Sequence, residues 1–431
     1  MFGKRKGREP VQQPDPTPRR PAPTGAGTLG TVIVRRSTLA KAGEPGNYDL
    51  IQGLVNFVNA MTHDGLYSRF EIQQKAMQAY HADFYLAQVL NGGHSQFIHN
   101  CFANLPFVIK DVRAALQGMK ADSILAIFER AAAWIEANPA EVKQQTGFDG
   151  GRAALLDELD TAFYKANDET PMIVSSSLWI KSWPELRAVD DADYVEAIRR
   201  VIMLNPLREE RLIANSIVNL VTQTIDWFQV GVSLACSSGE KVELKLSIGG
   251  GSLMEIEGKH EMAFFVRTNA PQPRYVVVTK EHAAAYEHID TSHMPALDPA
   301  DEHLSGDDRI ARRRGRSVGR KLSHVKRETI AGVIELSSDY LTAGAIDLLL
   351  RRAGIDPHGA AVTARPVEPR AGGPIGNWFV AAGGQVLYVV CHKNGSALLD
   401  PTNGKDHGAV RMDEVKAHLD RAAAGRIKAP E

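Results

Sequence analysis

From about residue 47 onward, apolar residues recur every three or four positions. Phe70, Met77, Tyr80, Phe84 and Ala87 mark one helical face, and Asn91-Gly92-Gly93 predicts its end, because Gly or Asn accepts the left-handed backbone of a helix terminus. A second face runs through Phe97, Ile98, Cys101 and Phe102 and continues beyond Pro106 with Val108, Val112 and Leu116. Ile124, Phe128, Ala131 and Ile135 form another face, stopped by Asn138-Pro139, and Leu155, Leu159 and Phe163 form one more. Helical spacing returns at Tyr194, Ile198 and Val201, and again at Leu212, Ile217 and Leu220. The period then shortens to two. Strands are predicted at 227–235, 242–248, 253–267 and 274–279, with Gly249-Gly250-Gly251 as one of the separating turns. The last stretch reads as a strand near 332–336, a helix opened by Ser338, a hairpin of 378–382 with 386–392, a tight turn at Asn394-Gly395, a strand at 397–399 and a helix over 412–423. The fold class expected from this pattern is multidomain α+β: an all-α N-terminal domain, then two smaller α+β units with antiparallel sheet.

Composition refines the boundaries. The 431 residues are 44% apolar and 23% charged with a net charge of −1, so a core is available and a uniformly basic nucleic-acid binder is excluded. The overall balance hides local blocks. Residues 1–43 carry nine Lys/Arg against two acids, and six of the first 23 residues are proline, which predicts a disordered basic tail over 1–46. Residues 286–308 hold seven acids and no Lys/Arg, and 309–327 hold nine Lys/Arg and no acid. The domains expected are therefore the tail (1–46), a helical domain (47–180), helices plus sheet (181–290), a charged linker (291–327) and a C-terminal α+β unit (328–425). No apolar run approaches the ~20 residues of a membrane span, and the basic N-terminus lacks the apolar core of a secretory signal. Three widely separated cysteines fit reduced thiols, and a cytoplasmic location is expected.

One block carries a resemblance. In the stretch 82–100, Phe84, Tyr85, Asn91, Gly92, Gly93, Gln96, Phe97 and Asn100 fill the pattern of an aromatic-rich helix, an Asn-Gly-Gly turn, then Gln, an aromatic and Asn. This resembles the signature of a bacterial helical family known for a DNA-mimicking protein. Leu159, Asp160 and Phe163 match that family's later Leu-Asp-x-x-Phe helix, so the similarity spans roughly residues 50–180. The resemblance implies an α-helical, non-enzymatic binding domain, often dimeric, that contacts another protein, in the mimic's case a DNA-binding one. Tyr85, Asn91, Gly92, Gly93, Gln96, Phe97 and Asn100 are then structural signature residues, with Asn91, Gln96 and Asn100 expected to cap helix ends. Mimicry needs an acidic face, and residues 44–170 hold 16 acids against nine Lys/Arg, a net −7.

Two other readings come from the residues themselves. His392 and Asp400 are the candidate members of a hydrolase-like site in the C-terminal unit, since cysteine hydrolases take Cys, His and an orienting carboxylate or amide from separate segments. Cys391 cannot pair with His392 on one strand, because neighbouring side chains point to opposite faces. Arg309, Arg312, Arg313, Arg314, Arg316, Arg320 and Lys321 could contact nucleic-acid phosphates. No cofactor is expected, and His94, His99 and Cys101, or His282, His288 and His293, lack metal-ligand spacing.

Overall fold

The computed structural model describes residues 29–146, 152–289 and 318–425. They form two compact units that divide between Leu207 and Arg208.

The first unit opens with β1 (Val32–Arg35), paired in parallel with β2 (Leu186–Val189), Val32 opposite Leu186. This corrects the expectation that the disordered tail extends to residue 46. Three branched apolar residues in a row are buried once β2 lies beside them, and that partner is too distant in sequence for local composition to reveal. Residues 1–28 lie outside the described residues. Helices follow: α1 (Asp49–Asn59), α2 (Gln74–Cys101), α3 (Leu105–Met119), α4 (Asp122–Ala137), α5 (Pro139–Val142), α6 (Ala154–Glu169), α7 (Met172–Lys181) and α8 (Tyr194–Met203). The spine is α2. Ala76, Met77 and Ala79 join one core with Leu54, Phe57 and β1, and Ala82, Tyr85, Leu86 and Val89 join a second core with α3, α4 and α6. The buried face is therefore rotated from the expected one. Phe70 precedes the helix and is exposed, Ala87 also faces solvent, and small alanines occupy the seam where helices pack closely.

The second unit contains α9 (Arg208–Ile225) and α10 (Trp227–Ser237), then a five-stranded antiparallel sheet in sequence order. Its strands are β3 (Lys245–Ile256), β4 (Lys259–Thr268), β5 (Arg274–Val278), β6 (His282–Glu287) and β7 (Lys321–Lys326). After α11 (Arg327–Asp339) and α12 (Thr342–Arg352) comes a second such sheet of β8 (Ala361–Ala364), β9 (Gly376–Ala382), β10 (Gln385–His392), β11 (Gly395–Leu399) and β12 (Asp406–Arg411), closed by α13 (Met412–Ala424). The architecture is mixed α+β, a helical N-terminal region followed by two antiparallel sheets with helices, as the pattern predicts.

Four local expectations are corrected here. The predicted strand at 227–235 is helix α10. Asp226 caps it by accepting from Gln229 N at 2.9 Å, and Val230 through Ser237 are buried on every side between the two sheets. A helix with no polar face has no amphipathic period to read. The predicted strand near 332–336 lies inside α11, whose buried residues Ile330, Val333, Leu336 and Ser337 keep helical spacing. The triple glycine is not a turn but sits within β3, where the pairing register shifts between Ile248 and Gly251. The turn lies instead at Glu257-Gly258, both with positive φ, which splits the expected 253–267 strand into a hairpin. Finally, Lys321–Lys326, placed by charge in the linker, is strand β7 at the sheet edge beside β6. Its alternation of exposed and buried residues is that of a half-covered strand, and an edge favours lysine. Residues 291–317 of that linker lie outside the described residues.

Candidate functional site

The Asn-Gly-Gly block interrupts α2. Gly92 and Gly93 leave helical geometry, Gly93 at φ 76°, and the chain resumes as a helix at 94–101 with a new direction. The first free backbone N–H of that second segment belongs to His94, and Asp160 of α6 accepts it at 2.8 Å. The same carboxylate oxygen accepts from the His94 ring Nδ1 at 2.6 Å, which leaves Nε2 to accept from the Tyr85 hydroxyl at 2.9 Å. Arg152 completes the arrangement. It donates to the Gly92 carbonyl and approaches Asp160 at 3.7 Å. The chain Tyr85–His94–Asp160 has the order of hydroxyl, imidazole and carboxylate seen in nucleophilic triads. Its environment differs from theirs. Tyr85 is fully buried, ringed edge-on by Phe97 and Phe128 at 5.0 Å and by Phe163 at 5.5 Å. Burial, then the Asp160 charge, pushes the phenol well above its ordinary pKa. Buried as they are, the three groups act as a polar brace across two helices, worth most when every member is satisfied.

On the solvent side of the same break, four amides interlock. Asn91 donates to Gln96 at 3.1 Å, and Gln96 and Asn100 both donate to Gln88 at 2.8 and 2.5 Å. Asn91 thus bonds to Gln96, and Gln96 and Asn100 bond to Gln88, rather than capping helix ends as expected. The cap comes from Asp160, a residue that sequence spacing could not place opposite His94. Its position in the Leu-Asp-x-x-Phe helix was the only signal. Phe97 is buried in the core with Tyr85.

Charge is distributed unevenly over these helices. Asp122, Glu129 and Glu136 recur every seven residues along α4, so their carboxylates share one stripe, about 10.5 Å apart along the axis. Asp122 and Glu136 are exposed, and Glu129 is half-exposed beside Arg113, whose hydrogen bonds at 2.6 and 2.9 Å hold the carboxyl below its ordinary pKa. Arg130 on α4 reaches Glu158 on α6 at 2.8 Å, and Asp157, Asp168 and Glu169 are exposed on α6.

The other candidates separate. His392 is exposed at one end of the β10–β11 hairpin, its Nδ1 accepting from Asn394 N at 3.3 Å. Asp400 follows Leu399, which pairs with Tyr388, so it stands at the other end, five residues along from the partner of His392 and roughly 16 Å away at ~3.3 Å per residue. Its carboxylate caps a turn through Thr402 N at 2.7 Å and Asn403 at 3.2 Å. The structure does not bring the two together. No thiol completes them, because all three cysteines are buried, and burial pushes Cys101 and Cys236 up to about 12 and raises Cys391. Arg320 pairs with Glu287 at 3.2 Å and Lys321 pairs with Glu257, so both cations are already engaged. Arg309, Arg312, Arg313, Arg314 and Arg316 lie outside the described residues. The histidines also disperse. His99 donates to the Gln145 carbonyl at 2.9 Å, His282 stacks on His324, His288 stacks on Tyr275, and His293 lies outside the described residues.

A cluster unnoticed in the sequence holds the second unit's helices. Asp347 of α12 is fully buried and takes hydrogen bonds from His418 of α13 at 2.7 Å, Arg351 at 2.8 Å and Ser216 of α9. Burial alone would raise this carboxyl. The hydrogen bonds from His418, Arg351 and Ser216, with the Arg351 charge, outweigh it and hold the group below its ordinary range.

Comparison with known proteins bears on part of the first unit. Residues 71–183 match the model of a protein family described as DMP19-like protein, so this segment, which spans α2 to α7, is similar to the DNA-mimic family. No curated protein and no solved structure matches the chain. Among the described residues, no helix is long and apolar enough to cross a membrane.

Proposed function

We propose that the helical region 71–183 is a protein-binding module that offers carboxylates to the basic surface of a DNA-binding protein. The observation that carries this reading is the Asp122–Glu129–Glu136 stripe. Its carboxylates follow one another about 10.5 Å apart along the helix axis, an ordered row of negative charge in which Glu129 is shared with Arg113 and Asp122 and Glu136 are exposed. The family match supports the same reading, and so does the net −7 of residues 44–170. In this mechanism α4 and α6 supply the charge. The buried Tyr85–His94–Asp160 brace fixes the angle at the break in α2 and so the packing of α6, without touching the partner.

The test uses the full chain as bait against the DNA-binding proteins of its source, followed by competition with duplex DNA. A specific partner should be released by DNA and by rising salt, since both compete for the same cations. The double substitution Asp122→Lys/Glu136→Lys should abolish capture while leaving the thermal melt unchanged. Equal capture by that variant would refute an acidic contact surface.

A further inference from the structure

The turn before α2 and the first half of α3 enclose a cleft of 340 Å³ lined by Arg69, Phe70, Met77, Phe107, Lys110 and Asp111, among others. Its chemistry is opposite to that of the acidic stripe. Phe70 and Phe107 are large apolar side chains left 38% and 45% exposed, with ring centroids 6.4 Å apart in an edge-on arrangement. The Arg69 guanidinium lies over both, 3.6 Å from the Phe107 centroid and 4.7 Å from that of Phe70. Such stacking holds the cation in place and turns its N–H edge outward. Among the described residues its polar contact is a 3.5 Å approach to the Asn104 side-chain oxygen. Lys110 stands one helical turn beyond Phe107 on the same side of α3. Among the described residues neither cation has a carboxylate partner, while the Asp111 carboxylate already accepts from the His81 ring at 2.7 Å.

We propose that this cleft binds a peptide segment presenting one carboxylate beside an aromatic or branched apolar side chain. A guanidinium covered on its faces offers in-plane, paired N–H donors, the geometry that a carboxylate fills with two parallel hydrogen bonds. The exposed ring edges and the buried Met77 floor then cover the apolar side chain. Charge selects against a polyanion. The cleft sits within a region of net −7, which repels a nucleic-acid strand and tolerates a single carboxylate neutralised locally by Arg69 and Lys110. The carboxylate can be a chain terminus or an Asp side chain. This inference is independent of the acidic stripe.

The experiment is calorimetric titration of the full chain with three peptides and one control. The peptides are acetyl-Ala-Leu-Phe as the free acid, the same peptide as its C-terminal amide, and acetyl-Asp-Phe amide; the control is a short oligothymidylate. At least one carboxylate peptide should bind about tenfold or more tightly than acetyl-Ala-Leu-Phe amide, the scale of a charge-assisted hydrogen bond. The tighter of the two identifies the source of the carboxylate. Arg69→Lys should lose about tenfold, because an ammonium neither stacks nor donates in parallel, and Phe107→Ala should lose a similar factor. The comparison of acid with amide on the unaltered chain needs no variant to fold. Failure of both carboxylate peptides to bind more tightly than acetyl-Ala-Leu-Phe amide, tighter binding of the oligothymidylate, or no peptide binding at millimolar concentration would each overturn the proposal.

Discussion

His94 is bound twice by one oxygen of Asp160: its backbone N–H at 2.8 Å and its ring Nδ1 at 2.6 Å. This explains the glycine before it. A Cβ at position 93 would lie 1.9 Å from the other Asp160 oxygen, and φ at that position is 76°. Backbone conformation and side-chain space both require glycine there.

Gly93→Val should therefore destabilise the protein markedly. The left-handed backbone alone costs a β-branched residue about 1–2 kcal/mol, and displacing Asp160 adds to this. Thermal unfolding followed by circular dichroism should show a melting point lower by several degrees. An unchanged melt would mean that the turn does not use this conformation.

Within the brace the carboxylate should matter more than the phenol. Asp160→Ala leaves both the His94 N–H and its ring N–H buried without an acceptor, at roughly 1–3 kcal/mol each. Tyr85→Phe removes a single hydrogen bond while preserving the aromatic packing, and should cost only about 1 kcal/mol. Urea unfolding of the two variants checks the order, and a larger loss for Tyr85→Phe would contradict it.

Acid should weaken the second unit through Asp347. Its carboxyl is held below the ordinary range in the fold, so the native state binds fewer protons than the unfolded chain in that interval. The contribution is complete above the unfolded carboxyl pKa of about 3.9 and is lost as pH falls through the lower folded value. Unfolding free energy measured at successive pH values should decline below about pH 4. Asp347→Asn should be less stable at neutral pH by roughly 3–5 kcal/mol and should lose part of that acid slope. An identical slope in the variant would assign the effect to other carboxyls.

The thiols should be silent in the folded protein. With Cys101 and Cys236 pushed up to about 12 by burial, very little thiolate exists at pH 8, and access is closed as well. Mass spectrometry after iodoacetamide treatment should find no alkylation of either residue in the native chain, and full alkylation in guanidinium. Rapid native labelling of Cys236 would show that the core around α10 opens.

Much of the architecture could be read locally. Helical spacing in 97–163 and alternation in the hairpin of β9 and β10 reflect one-sided burial, and a single exposed face is enough to imprint a period on the sequence. The break at Asn91-Gly92-Gly93 was equally plain, because positive φ restricts residue choice at that position alone. Where burial is complete the imprint disappears. Helix α10 has apolar or small residues on all sides because two sheets enclose it, so its sequence carries the signal of a strand. Strand β1 read as part of a tail until β2 lay beside it. The site followed the same rule. Sequence identified Tyr85, Gly93, Phe97 and Asp160 as members of a pattern, but not that Asp160 caps the helix beginning at His94, nor that Asp347, His418 and Ser216 converge. Hydrogen bonds between residues far apart in the chain leave no periodicity. Residue type and local spacing determined most of the helices and half of the strands, β3, β4, β5, β9, β10 and β11, while the choice of distant polar partners was made only when packing closed the cores around them.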